Sequence, residues 1–392
     1  MKKLCVIISI ILVAAILGSC ALSEGDSLSA KTKRDSSATY GFKKTETSSP
    51  ATYPDFKSAA TDFAFKLLRS SQKDNEDVII PVAGLFESLA MLCNASSGET
   101  QKELKKLIAE KSSLTSVNEG SGYFVSRLEA VKSKNSCVKL DNNIFFDNNT
   151  PVSGELLQKN VNYLNQGMFR LDFSDSASLD KADEYVKSRS GGEADKLIKK
   201  LSKDMTLSGT TVISDSWLGC FEDSSDSLEG VEYLIKNKFC KGFIKDLKNT
   251  PCKFVALMPD GDIGEMLGKL NSESYFKLLE SMNIFKTAKV RLEGFKLEAS
   301  RDFSDDVKKA GVSGIFDNGD FAGLTFGKKA SVGEIDQYCS VTINSAGVNT
   351  SERVKAKSEK IEAETELSFD KPYVFMIIDN ESNVPIVAGI KA

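Results

Sequence analysis

The 392-residue chain contains no histidine. Without histidine, a Ser-His-Asp triad and an HExxH zinc site are both impossible. Histidine is also the usual general base near neutral pH, and only a carboxylate or a lysine could replace it. The absence argues against an enzyme, and we expect neither a metal ion nor a cofactor.

Two further absences concern cysteine motifs and positive charge. The eight cysteines form no CxxC pair, so a zinc ribbon or a thioredoxin-like site has no support. Acidic residues outnumber basic residues by 55 to 51, and no basic stripe is present, so we expect no nucleic-acid partner. Cys5 and Cys20 lie in the N-terminal leader. The other six cysteines could pair in an exported protein, but we favour buried free thiols, because the chain is long enough to build its own core.

The first twenty residues have the pattern of an export signal. Lys2 and Lys3 precede an uncharged apolar run, 4–17, which is too short to span a bilayer. The run ends in LGSC at 17–20, which resembles a bacterial lipobox, whose cysteine is lipidated after cleavage. We therefore predict a signal peptide over 1–19, lipid attachment at Cys20, and a protein exported to the cell envelope or cell surface. Simple secretion is the alternative.

Residues 20–53 are predicted to carry the lipidation site and a flexible linker. They are rich in Ser, Thr, Lys and Asp, and such a stretch buries too little apolar surface to offset its ordering entropy. The linker would tether the folded domain, 54–392, to a membrane through the lipid.

The domain shows helical patterns first and strand patterns later. Phe56, Ala60, Phe63 and Leu67 recur at helical spacing and predict an opening helix. Further helices are predicted over 85–93, from an N-cap at Thr100, over 180–201 and over 302–309. Strands are predicted over 138–146, 210–217, 253–258 and 289–297, with a terminal hairpin over 373–390. This order indicates an α+β fold with large sheets.

Several segments, in order along the chain, resemble the serpin superfamily. LSFDKPYVFMI at 367–377 is similar to the family's C-terminal signature, with Tyr373 where phenylalanine is usual. Shorter similar stretches are LAML at 89–92, GET at 98–100, LDFS at 171–174, the block 185–192, FKLEAS at 295–300, DF at 302–303, VKK at 307–309 with Gly311, and DFAGLT at 320–325. The resemblance implies helices packed on a large central sheet, smaller sheets, an exposed reactive loop, and a monomer.

Three features depart from the family's pattern. The interval between Trp217 and Phe254 is shorter than usual, and strands of the smaller sheets are expected to be missing there. Gln337 stands where the family has histidine. Ser345 stands where a hinge glutamate is usual, so the ion pair of that glutamate is lost.

The resemblance places the reactive loop in the polar segment 344–369. Gly347 precedes the phenylalanine of the signature by 22 residues, the family's usual loop length. This count implies a scissile bond between Ile361 and Glu362. A slip of the register would make Lys360 the specificity residue instead. A protease with an apolar or small pocket would read Ile361, and a trypsin-like protease would read Lys360.

The family's mechanism is conformational and needs no catalytic residue on the inhibitor. A protease cuts the loop and forms an acyl-enzyme, and the cut loop then inserts into a sheet as a new strand and distorts the protease. The hinge that would enter first comprises Gly347, Val348, Asn349, Thr350, Ser351 and Glu352.

Strand side chains alternate, so every second residue of an inserted loop must face the core. Counted from Val348, the inward residues are Val348, Thr350, Glu352, Val354, Ala356 and Ser358. Five are small or apolar. The Glu352 carboxylate is not, and its burial costs several kcal/mol or requires a proton.

Two functions remain open at this point. The first is a suicide inhibitor of a serine or cysteine endopeptidase, whose partner is an unidentified target protease. The second is a non-inhibitory surface protein that keeps the fold for binding. Residues 351–366 are rich in Glu, Lys and Ala and could instead form an exposed helix, which would resist insertion and favour the second function. An exported hydrolase has no supporting motif.

Overall fold

The computed structural model describes residues 22, 27–28, 49–131, 133, 135–223, 227–282, 286–325, 329–350, 363 and 365–392. Its helices are α1 (Tyr53–Ser71), α2 (Val82–Ala95), α3 (Gly98–Ile108), α4 (Leu114–Leu128), α5 (Gly154–Lys159), α6 (Ser176–Arg189), α7 (Ile263–Lys269), α8 (Ser272–Glu280), α9 (Ser304–Lys309) and α10 (Ala322–Thr325). A π-helical turn, Asn160–Leu164, extends α5.

Six strands form the central sheet. They are β2 (Cys137–Asp147), β3 (Gly167–Leu171), β4 (Met205–Ser216), β10 (Phe295–Asp302), β13 (Val332–Ile343) and β14 (Gly347–Val348), in the order β10–β13–β14–β4–β2–β3. β13 and β4 run parallel and pair directly from Val332 opposite Met205 to Cys339 opposite Thr211. Beyond that point the two strands diverge, and β14 lies between them.

Nine strands form the second sheet. They are β1 (Val78–Ile80), β5 (Glu222–Asp223), β6 (Leu228–Lys236), β7 (Cys240–Asp246), β8 (Cys252–Pro259), β9 (Thr287–Leu292), β15 (Thr365–Ser368), β16 (Tyr373–Asp379) and β17 (Pro385–Lys391). The antiparallel pair β16–β17 confirms the predicted terminal hairpin. β11 (Gly319–Asp320) and β12 (Lys329–Ala330) form a separate small pair.

Apolar spacing explains where the first two helices lie. Phe56, Ala60, Phe63 and Leu67 of α1 are buried on one face, as predicted, and Pro54 suits the first turn of the helix. Every residue of α2 is buried, because α2 contacts β2 and β4 of the central sheet and also β17 of the second sheet. The two sheets and these helices share one large core, and the predicted α+β arrangement is confirmed.

Three predicted element boundaries are wrong. The helix predicted over 180–201 ends with α6 at Arg189, since Gly191, Gly192 and Lys196 have positive φ angles that a helix does not accept. The strand predicted over 289–297 is two strands, β9 and β10. Thr100 lies inside α3 and not at its N-cap, which is Ser97, and the Thr100 hydroxyl accepts a hydrogen bond from the Asp320 N–H.

The short interval between Trp217 and Phe254 keeps more strands than predicted. β6 and β7 lie within it and pair with each other. The expectation that strands are missing there is therefore wrong for β6 and β7. β5 has only two residues, and residues 224–226, which follow it, lie outside the described part of the chain.

The described part of the predicted linker comprises residues 22, 27–28 and 49–53, and the first three of these lie against the domain. The Leu28 N–H donates to the Met168 carbonyl at 2.8 Å, and Ser27 forms an isolated bridge with Phe169. Leu22 packs beside the apolar cluster that contains Phe169. In the part of the chain that the structure describes, no helix is both long and apolar enough to cross a membrane.

The six cysteines beyond the leader are free thiols in this structure, and four of them are buried. Burial raises the pKa of Cys93 and of Cys240 to about 12, so neither thiol is reactive near neutral pH.

Candidate functional site

The structure describes only part of the predicted loop. Several predicted site residues lie outside the described residues. They are the predicted reactive bond (Ile361 and Glu362, or Lys360 in the alternative register), the predicted hinge residues Ser351 and Glu352, and the predicted lipidation residue Cys20. The hinge residues Gly347, Val348, Asn349 and Thr350 are described, and the candidate site is built around them.

The hinge enters the central sheet where β4 and β13 diverge. Val348 pairs with Ile343 of β13 and with Asp215 of β4, and Gly347 pairs with Ser216 of β4. Both pairings are antiparallel, although β4 and β13 are parallel to each other. Two hinge residues therefore already form a short strand between the strands that flank the gap.

The burial of Val348 agrees with the predicted alternation. Its side chain has no exposed surface and belongs to the core cluster. Ile343 and Ile213, which face the same side of the sheet, belong to that cluster too. The inward face of the hinge is thus set from Val348 onward, because the alternation has a period of two.

Gly347 is the residue that this close approach requires. A Cβ atom at position 347 would lie 2.1 Å from the Asp215 carbonyl oxygen and 2.7 Å from the Ser216 Cα atom. Both contacts are with backbone atoms, which cannot move aside as a flexible side chain would. Any larger residue would therefore displace β14 from β4.

Asn344 organises the turn that leads from β13 into β14. Its Oδ1 accepts hydrogen bonds from the Ala346 N–H at 2.9 Å and the Gly347 N–H at 3.0 Å. Its Nδ2 donates to the Thr350 carbonyl at 2.8 Å, and its own carbonyl accepts from the Trp217 indole N–H at 2.8 Å. The sequence prediction did not include Asn344, and only its place next to the predicted hinge could have suggested it.

Asn349 makes a second set of contacts across the gap. Its Nδ2 donates to the carbonyls of Ile213 on β4 at 2.9 Å and Ser340 on β13 at 2.7 Å. Its Oδ1 accepts from the Thr342 N–H at 2.7 Å. Asn349 thus joins the two strands directly through its side chain.

The end of β4 supports the turn through Trp217. The backbone N–H of Trp217 donates to the Ala346 carbonyl at 2.9 Å. The buried indole ring of Trp217 packs edge-on against the Phe221 ring. The Lys245 ammonium lies 4.3 Å from the Phe221 ring centre and forms a buried ion pair with Glu232. Burial raises the pKa of Glu232, although the ammonium beside it acts in the opposite direction.

Ser345 has an uncharged side chain and therefore forms no ion pair. The Phe221 N–H donates to the Ser345 carbonyl at 3.1 Å, and the Ser345 hydroxyl lies 3.4 Å from Asp223 Oδ2. The turn is held by backbone and asparagine hydrogen bonds.

A buried polar layer lies under the central sheet, just beyond the divergence. Gln337 has no exposed surface, and its amide fills the space between Gly84 of α2 and Gly209 of β4. Among the described residues, neither amide atom of Gln337 has a hydrogen-bond partner, and the buried Thr211 hydroxyl has none either. Such groups are costly when left unpaired, so this layer is an unsatisfied part of the present conformation.

The groups that the site offers are those of backbone hydrogen bonding. Along the described chain, no group of three or more Cys, Asp or Glu side chains is placed to hold a metal ion. The site instead presents backbone donors and acceptors on two strands that diverge, with a short strand already between them.

Comparisons with known proteins agree with this architecture. A model of the serpin (serine protease inhibitor) family matches residues 58–225 and 246–391. Alpha-1-antiproteinase of Rattus norvegicus is 20% identical over 368 residues, which cover 86% of this chain and 89% of that protein.

Solved structures show the same fold. The native state of the thermophilic serpin tengpin matches with a TM-score of 0.78 at 22% identity, over 93% of this chain and 98% of that one. Human thyroxine-binding globulin matches with a TM-score of 0.74 at 17% identity, over 87% and 98% of the two chains. The family model covers most of the chain, and the chain therefore belongs to the serpin family.

Proposed function

We propose that this serpin inhibits a serine or cysteine endopeptidase as a suicide substrate, through cleavage and insertion of its reactive loop. The observation that carries the proposal is β14. Gly347 and Val348 already pair with the strands on both sides, in the register that an inserted strand would continue. An added strand gains main-chain hydrogen bonds along both neighbours, which favours insertion.

The register of β14 fits the predicted scissile bond. With Gly347 opposite Ser216, continued antiparallel pairing would bring Ser358 opposite Met205, the first residue of β4. The inserted strand would then run the whole length of β4, about 40 Å at roughly 3.3 Å per residue. A protease attached at Ile361 would be carried from one end of the central sheet to the other.

The same register gives Glu352 a polar environment. Once inserted, Glu352 would lie opposite Thr211 and Cys339, facing the core. The Thr211 hydroxyl can donate to the carboxylate, and the Gln337 amide lies two positions away on β13. A buried carboxylate needs such donors. The unusual residues Glu352 and Gln337 are therefore compatible with insertion when they are considered together.

A non-inhibitory surface-binding protein is the second candidate. The observation in its favour is the set of hydrogen bonds that Asn344 and Asn349 make to the hinge, because these bonds oppose further insertion. The fold does not decide between the two functions, since human thyroxine-binding globulin, named for its ligand, shares it.

The test is a pair of thermal melts, before and after the loop is cut by a lysine-specific protease. Mass spectrometry identifies the cut bond. Insertion predicts that cleavage raises the melting temperature by roughly tens of degrees, because a full strand is added to the central sheet. An unchanged melting temperature would exclude trapping and leave the binding protein as the function.

Two matched variants show whether a gain in stability comes from insertion. Ala356→Arg would place a guanidinium inward, opposite the buried Leu207, and should abolish most of the gain. Lys357→Arg changes an outward position and should keep the gain. Inhibition itself is then tested as an SDS-stable complex between the wild-type protein and a protease that accepts Ile361 or Lys360.

We propose separately that the protein is exported and anchored through a lipid on Cys20. The charged start, the apolar run and the LGSC sequence support this proposal. Expressed in a bacterium that processes lipoproteins, the wild type should enter the detergent phase of a phase-partition assay, and Cys20→Ser should remain in the aqueous phase. A wild-type protein found in the aqueous phase would favour simple secretion.

A further inference from the structure

Asn349 occupies the position at which the hinge leaves the central sheet. Its N–H donates to the Thr342 carbonyl at 2.9 Å, and its carbonyl accepts from the Ser214 hydroxyl at 3.0 Å, so the pairing continues one residue beyond β14. Asn349 then adopts a φ of 47°, and the chain turns away from the sheet. Asparagine tolerates this left-handed conformation better than most residues do.

The Asn349 side chain bonds backbone groups of β4 and β13 that would otherwise pair with an inserted strand. Its amide nitrogen bonds the carbonyls of Ile213 and Ser340, and its oxygen bonds the Thr342 N–H. In a continued antiparallel strand, these three groups would bond with the backbone of residues 349–351. The side chain therefore fills the hydrogen-bonding positions that the next loop residues must occupy.

Asn344 contacts the chain both before and after residue 349, where the hinge leaves the sheet. Its Nδ2 bonds the Thr350 carbonyl at 2.8 Å, while its Oδ1 bonds the N–H groups of Ala346 and Gly347. Asn344 and Asn349, which we call the asparagine pair, thus contact the hinge before and after the residue where it leaves the sheet.

We infer that the asparagine pair, through Asn349 above all, sets the rate of loop insertion by holding the hinge at two inserted residues. The inference rests on the proposed function, since this rate matters only if the loop inserts. For the strand to advance, the Asn349 amide must leave Ile213 and Ser340, and its φ must change from left-handed to extended. In the inserted strand, residue 349 would face away from the core, so its side chain stabilises mainly the uninserted state. Asn349 is thus a positioning residue.

Asn349→Gly isolates the side-chain bonds, because glycine keeps a positive φ accessible. Insertion after cleavage can be followed by the fluorescence of Trp217, the only tryptophan in the chain, whose indole bonds the Asn344 carbonyl. The protease is used in excess, and its own fluorescence is subtracted. We expect Asn349→Gly to insert about tenfold faster than the wild type or more, because the variant lacks three partly buried side-chain bonds that stabilise only the uninserted state. Ser214→Ala, which removes one bond, should have a smaller effect.

Hydrogen exchange in the uncleaved protein gives an independent measurement. The Thr342 N–H bonds the Asn349 side chain, so Asn349→Gly should speed deuterium uptake in the segment 338–344.

The outcomes separate the two proposals. Equal insertion rates, with both proteins stabilised by cleavage, would overturn the inference and leave the proposed function intact. If cleavage stabilises neither protein, the proposed function fails and the inference fails with it, because there is then no insertion whose rate the asparagine pair could set. If cleavage stabilises both proteins, unchanged protection at Thr342 in Asn349→Gly would overturn the inference alone, because the side-chain bond would then not hold the hinge.

Discussion

Asp336 carries a prediction about how stability depends on pH. This carboxyl lies on β13, opposite Asp302 of β10. Its side chain is buried, and among the described residues its Oδ2 atom has no hydrogen-bond partner. Burial raises the pKa of Asp336 to about 8, the carboxylates of Glu334 and Asp302 add to the rise, and Lys199 and Lys200 oppose it.

The sign of the effect follows from the raised pKa. The folded protein binds this proton more tightly than the unfolded chain does, so the stabilisation is complete below the unfolded pKa and is lost as pH rises towards about 8. The free energy of unfolding should fall by about 1.4 kcal/mol per pH unit in this window from Asp336 alone. Glu87 of α2, whose pKa burial also raises to about 8, should contribute a second slope of the same sign.

Asp336→Asn keeps the shape of the side chain and removes its proton equilibrium. Urea unfolding, followed by circular dichroism, would be measured from about pH 5 to about pH 7.5. The stability of Asp336→Asn relative to the wild type should rise by about 1.4 kcal/mol per pH unit over that range. Asp317→Asn is the control, because the Asp317 side chain is 94% exposed and its environment barely changes on unfolding. Parallel pH profiles for Asp336→Asn and the wild type would refute the reasoning.

Three further predictions test the candidate site. Gly347→Ala should displace β14, because its Cβ would lie 2.1 Å from the Asp215 oxygen, and faster amide exchange of the hinge would show this. Lys245→Met should lower the free energy of unfolding by roughly 3–5 kcal/mol, because it leaves the Glu232 carboxylate without its partner. A variant in which Glu232 is also replaced by an apolar residue should recover most of that loss. Glu352→Ala should increase the stability gained on cleavage at neutral pH. Gln337→Leu should reduce that gain, and the reduction should be larger in the wild-type background than in the Glu352→Ala background. A double-mutant cycle of melting curves would measure the difference.

The sequence was sufficient where local pattern and core burial agree. The apolar face of α1 and the two strands of the terminal hairpin were predicted because helical or strand spacing alone identifies their buried sides. The helix predicted over 180–201 was too long because it was continued through Gly191 and Gly192, which are a helix stop signal between two stretches of helix-forming residues. Positive φ angles at Gly191, Gly192 and Lys196 end the regular structure there, and tertiary contacts fix them, such as the Lys196 N–H to Asp183 hydrogen bond.

The candidate site was even less predictable from local sequence patterns than the helices and strands were. The family resemblance located Gly347, and the backbone contacts in the structure explain why it must be glycine. The roles of the asparagine pair were only partly predictable, because the bonds that join the pair to β4 and its end involve residues far away in the chain. Asn349 and Ile213 are 136 positions apart, and Trp217 and Asn344 are 127 apart. No local pattern encodes such a pairing.

The positions of Asn349 and Glu352 along the hinge are informative together. Up to residue 351, an advancing strand would enter a gap that already exists between β4 and β13. Residue 352 would be the first to lie between Thr211 and Cys339, the last directly paired residues of those strands. The first separation of paired strands and the burial of a carboxylate would therefore occur at the same step, directly after the Asn349 bonds are broken. An uncut loop would meet both barriers while its far end is still tied to β15. A cut loop would meet the same two barriers without that restraint and could therefore complete the insertion that a suicide inhibitor requires.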